Sequence, residues 1–166
     1  MKRIPARNED GSVNALIEIP RGSRNKYEYD EELGVIALDR TLYSAVHFPT
    51  DYGYVPGTRG ADGDSIDVMV MVEESVFPGC LVRVRLLGVL TIQKTNGDPE
   101  SKLLAVPVNE PRFAELRDID DVPQHLREEI EHFFEVYKDL EGSEINSLGW
   151  EDAERAERVL EEEVER

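Results

Sequence analysis

Apolar residues of the first two thirds of the chain come in short runs broken by turn residues. Ala15-Leu16-Ile17-Glu18-Ile19 stops at Pro20 and a Gly22-Ser23 turn, and Lys26-Tyr27-Glu28-Tyr29 alternates up to Asp30-Glu31-Glu32. Ile66 to Val72 is apolar at consecutive positions after Asp67, the pattern of a strand buried on both faces. Leu81 to Leu87 alternates with Arg83 and Arg85, and Leu103-Leu104-Ala105-Val106 ends at Pro107. Short strands separated by Gly and Pro predict a small barrel or sandwich.

The period then changes. Leu126, Ile130, Phe133, Phe134, Tyr137 and Leu140 fall on one helical stripe, with Pro123 at the first turn and Gly142 as a stop. This predicts a helix over about 123–141. A second, over about 150–165, carries Ala153, Ala156, Leu160 and Val164 on one stripe, and its Glu161-Glu162-Glu163 run is expected to be a solvated surface. The expectation is one α+β, mainly β domain over 1–166, with the strands within about 13–108.

Charge narrows the partners. Lys and Arg number 19 against 36 Asp and Glu, a formal net charge of −17. Nucleic acid and anionic membranes would be repelled. No apolar run is long enough to span a bilayer, Met1-Lys2-Arg3-Ile4-Pro5 does not resemble a secretion signal, and the single cysteine, Cys80, forms no internal disulfide. A cytoplasmic protein is expected.

Against this acidic background one segment carries chemistry. Asp62-Gly63-Asp64-Ser65-Ile66-Asp67 puts three carboxylates in six residues at the mouth of an apolar strand. Carboxylates so close repel one another, and a divalent cation relieves the repulsion. Oxygen-only donors suit Mg²⁺, Mn²⁺ or Ca²⁺. An Asp-rich turn with capping roles stays open as an alternative. An EF-hand does not fit, because the loop lacks its Glu at the twelfth position. Glu18, within an apolar strand, needs a partner or a cation. Lys26, Arg40, Tyr52, Tyr54, Tyr137 and Lys138 interleave cations with phenols, both suited to phosphate oxygens.

Together these motifs resemble the family I inorganic pyrophosphatases of bacteria and archaea. The likeness runs from about Leu16 to Trp150. Its best motif is Asp62-Gly63-Asp64-x-x-Asp67-Val68, supported by Ile17-Glu18-Ile19-Pro20, Asn25-Lys26-Tyr27-Glu28, Leu38-Asp39-Arg40, Asp51-Tyr52-Gly53-Tyr54, Lys102 and His132 to Leu140. The resemblance implies a five-stranded OB-like β-barrel with two main helices packed outside, a homohexamer, and hydrolysis of pyrophosphate dependent on Mg²⁺, with Mn²⁺ as a substitute. Asp62 and Asp67 would be metal ligands and Asp64 the base that helps deprotonate water. Lys26, Arg40, Tyr52, Tyr137 and Lys138 would hold phosphates, Lys102 would stand near a phosphate, and Glu18 and Glu28 would sit near the metals.

Three departures accompany the resemblance. Ser65 stands where Pro is usual. Lys94, after Gln93, stands where an Asp is usual, and the following segment to Lys102 is one residue longer, leaving Asp98 or Glu100 as the carboxylate nearest the family's second ligand. Gly142 to Leu148 replaces a turn bearing Lys and Trp. A competing expectation is therefore a weakened homologue that binds phosphate or acts on another phosphoester.

Overall fold

The computed structural model describes residues 3–165, and its strands make a main sheet that closes on itself and a separate two-stranded hairpin. The strands are β1 (Val13–Ile19), β2 (Asn25–Asp30), β3 (Val35–Thr41), β4 (Asp51–Tyr54), β5 (Asp67–Val70), β6 (Leu81–Lys94), β7 (Pro99–Pro107) and β8 (Ile145–Glu151). β2 and β3 form the hairpin; the main sheet runs β1-β4-β5-β7-β6-β8, and β1 also pairs with β6. That last pairing closes β1, β4, β5, β7 and β6 into the expected five-stranded barrel. Closure removes the exposed strand edges that invite aggregation. Only β5 and β7 run parallel. The pairing sets Asp67 directly beside Lys102.

β6 extends well beyond the predicted Leu81–Leu87. Its first residues pair with β1, and the stretch from Val89 to Lys94 pairs with β8. The sequence pattern did not reveal β3, β4 or β8. β3 and β8 mix exposed and half-buried residues without regular alternation, with only Ile145 of β8 buried, and β4 has only four.

Both faces of β5 are buried, as its continuous apolar run predicts. Val68 and Val70 join one core cluster with Leu103, Ala105 and the helix α2 (Ala153–Glu163). Met69 and Met71 join the other with Leu104, Val106 and the helix α1 (Gln124–Val136). Phe133 and Phe134 of α1 pack on Phe48, Tyr52 and Tyr137, with ring centroids 4.8–6.0 Å apart.

Both helices are shorter than their sequence patterns. α1 stops at Val136, and Leu140, read as part of its stripe, is 70% exposed. The chain leaves the helix at Tyr137 and Lys138 and turns through Gly142, whose φ of 80° suits glycine. α2 starts after Asp152, whose side chain caps it by accepting from the Arg155 amide at 2.9 Å. Trp150 belongs to β8 instead.

Gly53 lets β4 lie against β1. A Cβ there would stand 1.8 Å from the Leu16 carbonyl oxygen, a backbone atom that cannot swing away. Gly53→Ala is therefore expected to cost about 3 kcal/mol or more. Urea unfolding measures it, and an unchanged midpoint would contradict the close approach.

Candidate active site

One open cleft of about 890 Å³ lies at the end of the barrel where β5 begins. The strand ends, the turn before β5, the β6–β7 turn and the residues just after α1 all reach it. Among the described residues there are four lysines, Lys26, Lys94, Lys102 and Lys138, and all four line this cleft. In a chain of net charge −17, this gathering marks where an anion is wanted.

The deepest group is Lys102. It is 2% exposed, and its Nζ donates to Tyr52 Oη and Asp67 Oδ2, each at 2.7 Å. Tyr52 Oη donates in turn to Asp67 Oδ2 at 2.5 Å. The rings of Tyr52 and Phe134 flank the ammonium, with centroids 5.3 and 5.0 Å away. Burial works most strongly against the charge of Lys102, but Asp67, Tyr137 and Glu100 together outweigh it and lift the pKa above the ordinary lysine value. Burial, then Asp67, raises the Tyr52 phenol well above its usual range, so it stays a neutral donor.

Glu18 faces the same space. Its Oε2 accepts from the Tyr29 amide at 2.7 Å, yet burial first, and Asp67 and Glu28 after it, push its pKa up to about 7. Such a carboxyl is relieved by a cation, and the other acids on the cleft wall offer only oxygen donors. That chemistry fits a hard divalent ion. Among the described residues, however, no three acidic, His or Cys side chains close on one point. Asp62 and Asp64 do not pair their carboxylates. Asp62 Oδ1 instead accepts from the Asp64 amide at 2.9 Å, which holds the turn open and leaves both residues exposed at the rim.

Without a divalent ion, Glu18 carries a pH signature. Its folded pKa lies above the ordinary 4.5, so its contribution is fully present below that value and is lost as pH rises through about 7. The size is about 3 kcal/mol at most. Glu18→Gln keeps an acceptor for the Tyr29 amide and removes the titration. In chelator, the variant is expected to gain stability relative to wild type between pH 5 and 8. A pH-independent difference in urea unfolding would contradict this.

The predicted residues sort clearly. Glu18, Lys26, Glu28, Tyr52, Asp62, Asp64, Asp67, Asp98, Glu100, Lys102, Tyr137 and Lys138 all line the cleft. Arg40 is not among the lining residues, but its charge reaches Lys138 on the cleft wall. Its guanidinium lies against Asp39 and spans to Glu141, with Nε 3.0 Å from Oε1 and Nη2 3.1 Å from Oε2. Two carboxylates therefore stand beside it, while its buried Nε has no well-aligned hydrogen-bond partner. Lys26 is shared between Glu28 and Asp39, the latter at 3.1 Å. Lys138 has its pKa lowered to about 8, by burial and then by Lys94, Arg40, Lys26 and Lys102.

Glu163 was not anticipated. The Glu161-Glu162-Glu163 run was expected to be solvated throughout, but Glu163 lines the cleft. The chain around it is stitched to the turn before β5. The Arg59 amide donates to the Glu163 carbonyl and the Glu165 amide to the Gly57 carbonyl, both at 2.8 Å. Arg59 adds bonds to Glu165 Oε1 at 2.9 Å and to the Gly63 carbonyl at 3.2 Å. No local pattern announces a pairing a hundred residues apart.

Comparison with known proteins agrees with this geometry. The family model described as inorganic pyrophosphatase matches residues 15–166. The chain is 46% identical over 154 residues to an inorganic pyrophosphatase of Geobacillus stearothermophilus, covering 93% of each chain. It is 44% identical over 164 residues to one from Nostoc sp. (strain PCC 7120), covering 99% of this chain and 96% of that one. The crystal structure of inorganic pyrophosphatase from Thermus thermophilus superposes with a TM-score of 0.93 at 38% identity, covering 98% of this chain and 95% of that one. A barrel closed through β1 and β6, a cleft that gathers the lysines, and these matches over nearly the whole length carry one conclusion: the chain belongs to the family I inorganic pyrophosphatases.

Proposed function

We propose that the chain is an inorganic diphosphatase that splits pyrophosphate into two phosphates with water. The observation that carries this reading is the cleft itself: an acidic protein places all four described lysines among carboxylates in one cavity. Lysines match phosphate oxygens, and oxygen-rich acids match a divalent cation.

Asp62, Asp67, Glu18 and Glu28, with Asp98 or Glu100 from the β6–β7 turn, would hold Mg²⁺ or Mn²⁺, which neutralises phosphate charge and acidifies water. The chain's own groups do the rest. Lys102 and Tyr52 offer a preformed cation and a neutral hydroxyl, fixed by β4, β5 and β7 before substrate arrives. Preorganised donors of this kind need no rearrangement as charge moves onto the leaving phosphate. Lys26, Tyr137 and Lys138 hold further phosphate oxygens. Asp64, exposed at the rim, accepts a proton from the attacking water. The water oxygen bonds to one phosphorus, the bond from that phosphorus to the bridging oxygen breaks, and that oxygen leaves on the second phosphate.

A homologue that only binds phosphate has no observation in its favour, since the polar lining is in place. The homohexamer stays with this proposal. Exposed Leu33, Val35, Leu38, Tyr43 and Phe77 supply apolar surface that self-association would bury, and light scattering measures the assembly. No helix among the described residues is long and apolar enough to cross a membrane. The direct test is phosphorus NMR of pyrophosphate incubated with the protein, with Mg²⁺ and with chelator. Conversion to orthophosphate only with Mg²⁺ is expected; unchanged pyrophosphate in both would overturn the reading.

A further inference from the structure

We propose that Arg59 is a positioning residue for the reaction: its guanidinium fork, held by the end of α2, sets where Asp64 stands at the cleft. The inference rests on the diphosphatase reading and adds to that site a tie from a hundred residues away.

The turn between β4 and β5 carries Asp62 and Asp64. Its tip is closed by local bonds. The Gly60 amide donates to the Asp64 carbonyl at 2.8 Å, the Gly63 amide to the Gly60 carbonyl at 3.0 Å, and the Asp64 amide to Asp62 Oδ1 at 2.9 Å. These bonds give the tip its shape and leave its place over the barrel to other contacts. The base of the turn is fixed by Thr58, which is 3% exposed. Thr58 Oγ1 donates to the Val55 carbonyl at 2.6 Å and accepts from the Ile66 amide at 3.0 Å.

Arg59 connects the tip to the rest of the fold. It lines the cleft, and its Nη1 donates to the Gly63 carbonyl at 3.2 Å while Nε donates to Glu165 Oε1 at 2.9 Å. One planar side chain therefore ties the Gly63–Asp64 peptide to the residues that follow α2. Those residues are themselves held. Val164 packs on the core cluster beneath α2 and bridges antiparallel to Thr58. The Arg59 amide donates to the Glu163 carbonyl and the Glu165 amide to the Gly57 carbonyl, both at 2.8 Å. At Gly60 the two pieces touch. A Cβ there would stand 3.2 Å from Glu163 Oε2 and 3.3 Å from Asp62 Oδ1.

A positioning role and a purely structural one differ in what they affect. The Arg59 side chain is 62% exposed, and an exposed ion pair adds little to stability. Its loss should leave unfolding alone. Placement of Asp64 is more sensitive, because proton transfer needs the acceptor within hydrogen-bond reach of the attacking water. The guanidinium reaches two acceptors at once, whereas a lysine ammonium is a compact point donor. Arg59→Lys thus keeps the charge near Asp64 and breaks the tie.

The test is kcat and KM for pyrophosphate with Mg²⁺, together with urea unfolding and amide hydrogen exchange. The proteins are wild type, Arg59→Ala, Arg59→Lys, Glu165→Ala, and Arg59→Ala combined with Glu165→Ala. Arg158→Ala is the control, since Arg158 is 63% exposed and pairs with Glu154 on α2. Arg59→Ala is expected to lower kcat about tenfold and to move KM by less than about twofold. Arg59→Lys should stay close to Arg59→Ala. The double variant should be no slower than Arg59→Ala, because both changes break one tie. The Gly63 and Asp64 amides should exchange faster in Arg59→Ala, with urea midpoints unchanged throughout and Arg158→Ala equal to wild type. Wild-type kcat in Arg59→Ala, full recovery in Arg59→Lys, additive losses in the double variant, or an equal loss in Arg158→Ala would overturn the proposal. A wild type inactive on pyrophosphate would instead overturn the diphosphatase reading. The exchange of Gly63 and Asp64 would still decide the tie, and unchanged rates there would refute it.

Discussion

Replacing Asp67 by Asn is expected to damage stability and activity together. Asp67 is the carboxylate partner of Lys102, whose ammonium is 2% exposed and flanked by two aromatic rings. Its other carboxylate neighbour, Glu100, is 3.9 Å away and cannot replace a bond of 2.7 Å. Lys102 is buried while the Asp67 side chain is 37% exposed, so removing this partner leaves an uncompensated charge at the low end of the cost of breaking a buried pair, about 3 kcal/mol. The variant escapes part of that cost only by giving up the proton on Lys102, which removes the cation meant for phosphate. Phosphate release should therefore fall by about 10²- to 10³-fold, as when a preorganised electrostatic group is lost. The double variant Asp67→Asn with Lys102→Met no longer carries a stranded charge. It should recover much of the stability and none of the activity. Urea unfolding and phosphate release on the single and double variants measure both effects. A single variant as stable as wild type, or a double variant that regains turnover, would contradict this account of the pair.

Asp64→Asn should show the opposite pattern. Asp64 is exposed at the rim and its side chain supports no described hydrogen bond; only its backbone is engaged, the amide by Asp62 and the carbonyl by the Gly60 amide at 2.8 Å. Unfolding free energy should stay within about 0.5 kcal/mol of wild type, as for surface positions generally. If Asp64 takes the proton from water, kcat should fall by about 10²- to 10⁴-fold, the range for one general base. KM for pyrophosphate should move far less, because no phosphate-binding group is touched. A variant that retains kcat would assign proton removal to another group.

How far the sequence foretold this site depends on how local each feature is. The Asp62–Asp67 cluster and the buried β5 stand out because their residues are neighbours in the chain. Lys26, Tyr52, Lys102, Tyr137 and Lys138 are bland taken singly. The resemblance brought them together, and the cleft shows why: four different strand or helix ends deliver them to one space. Arg40 shows a different limit: charge alone does not reveal that Asp39 and Glu141 stand beside its guanidinium. Glu163 was missed for the reverse reason. Its acidic run reads as solvated surface, and only the backbone bonds between Arg59 and Glu163 and between Glu165 and Gly57 carry it to the cleft. The end of α1 was read four to five residues late because Leu140 continues the apolar spacing. The chain abandons the helix at Tyr137, and that early exit brings Lys138 onto the cleft wall.

The central claim is that this cleft hydrolyses pyrophosphate with a divalent cation and Asp64. It is tested most directly by orthophosphate release from pyrophosphate as Mg²⁺ is titrated from chelator-held zero, for wild type and Asp64→Asn side by side. The account predicts two phosphates per pyrophosphate from the wild type, no release without the cation, and a saturating rise as it is added, with Asp64→Asn slower at every concentration. Pyrophosphate left intact by the wild type at saturating Mg²⁺, or release that ignores both the cation and Asp64, would contradict it.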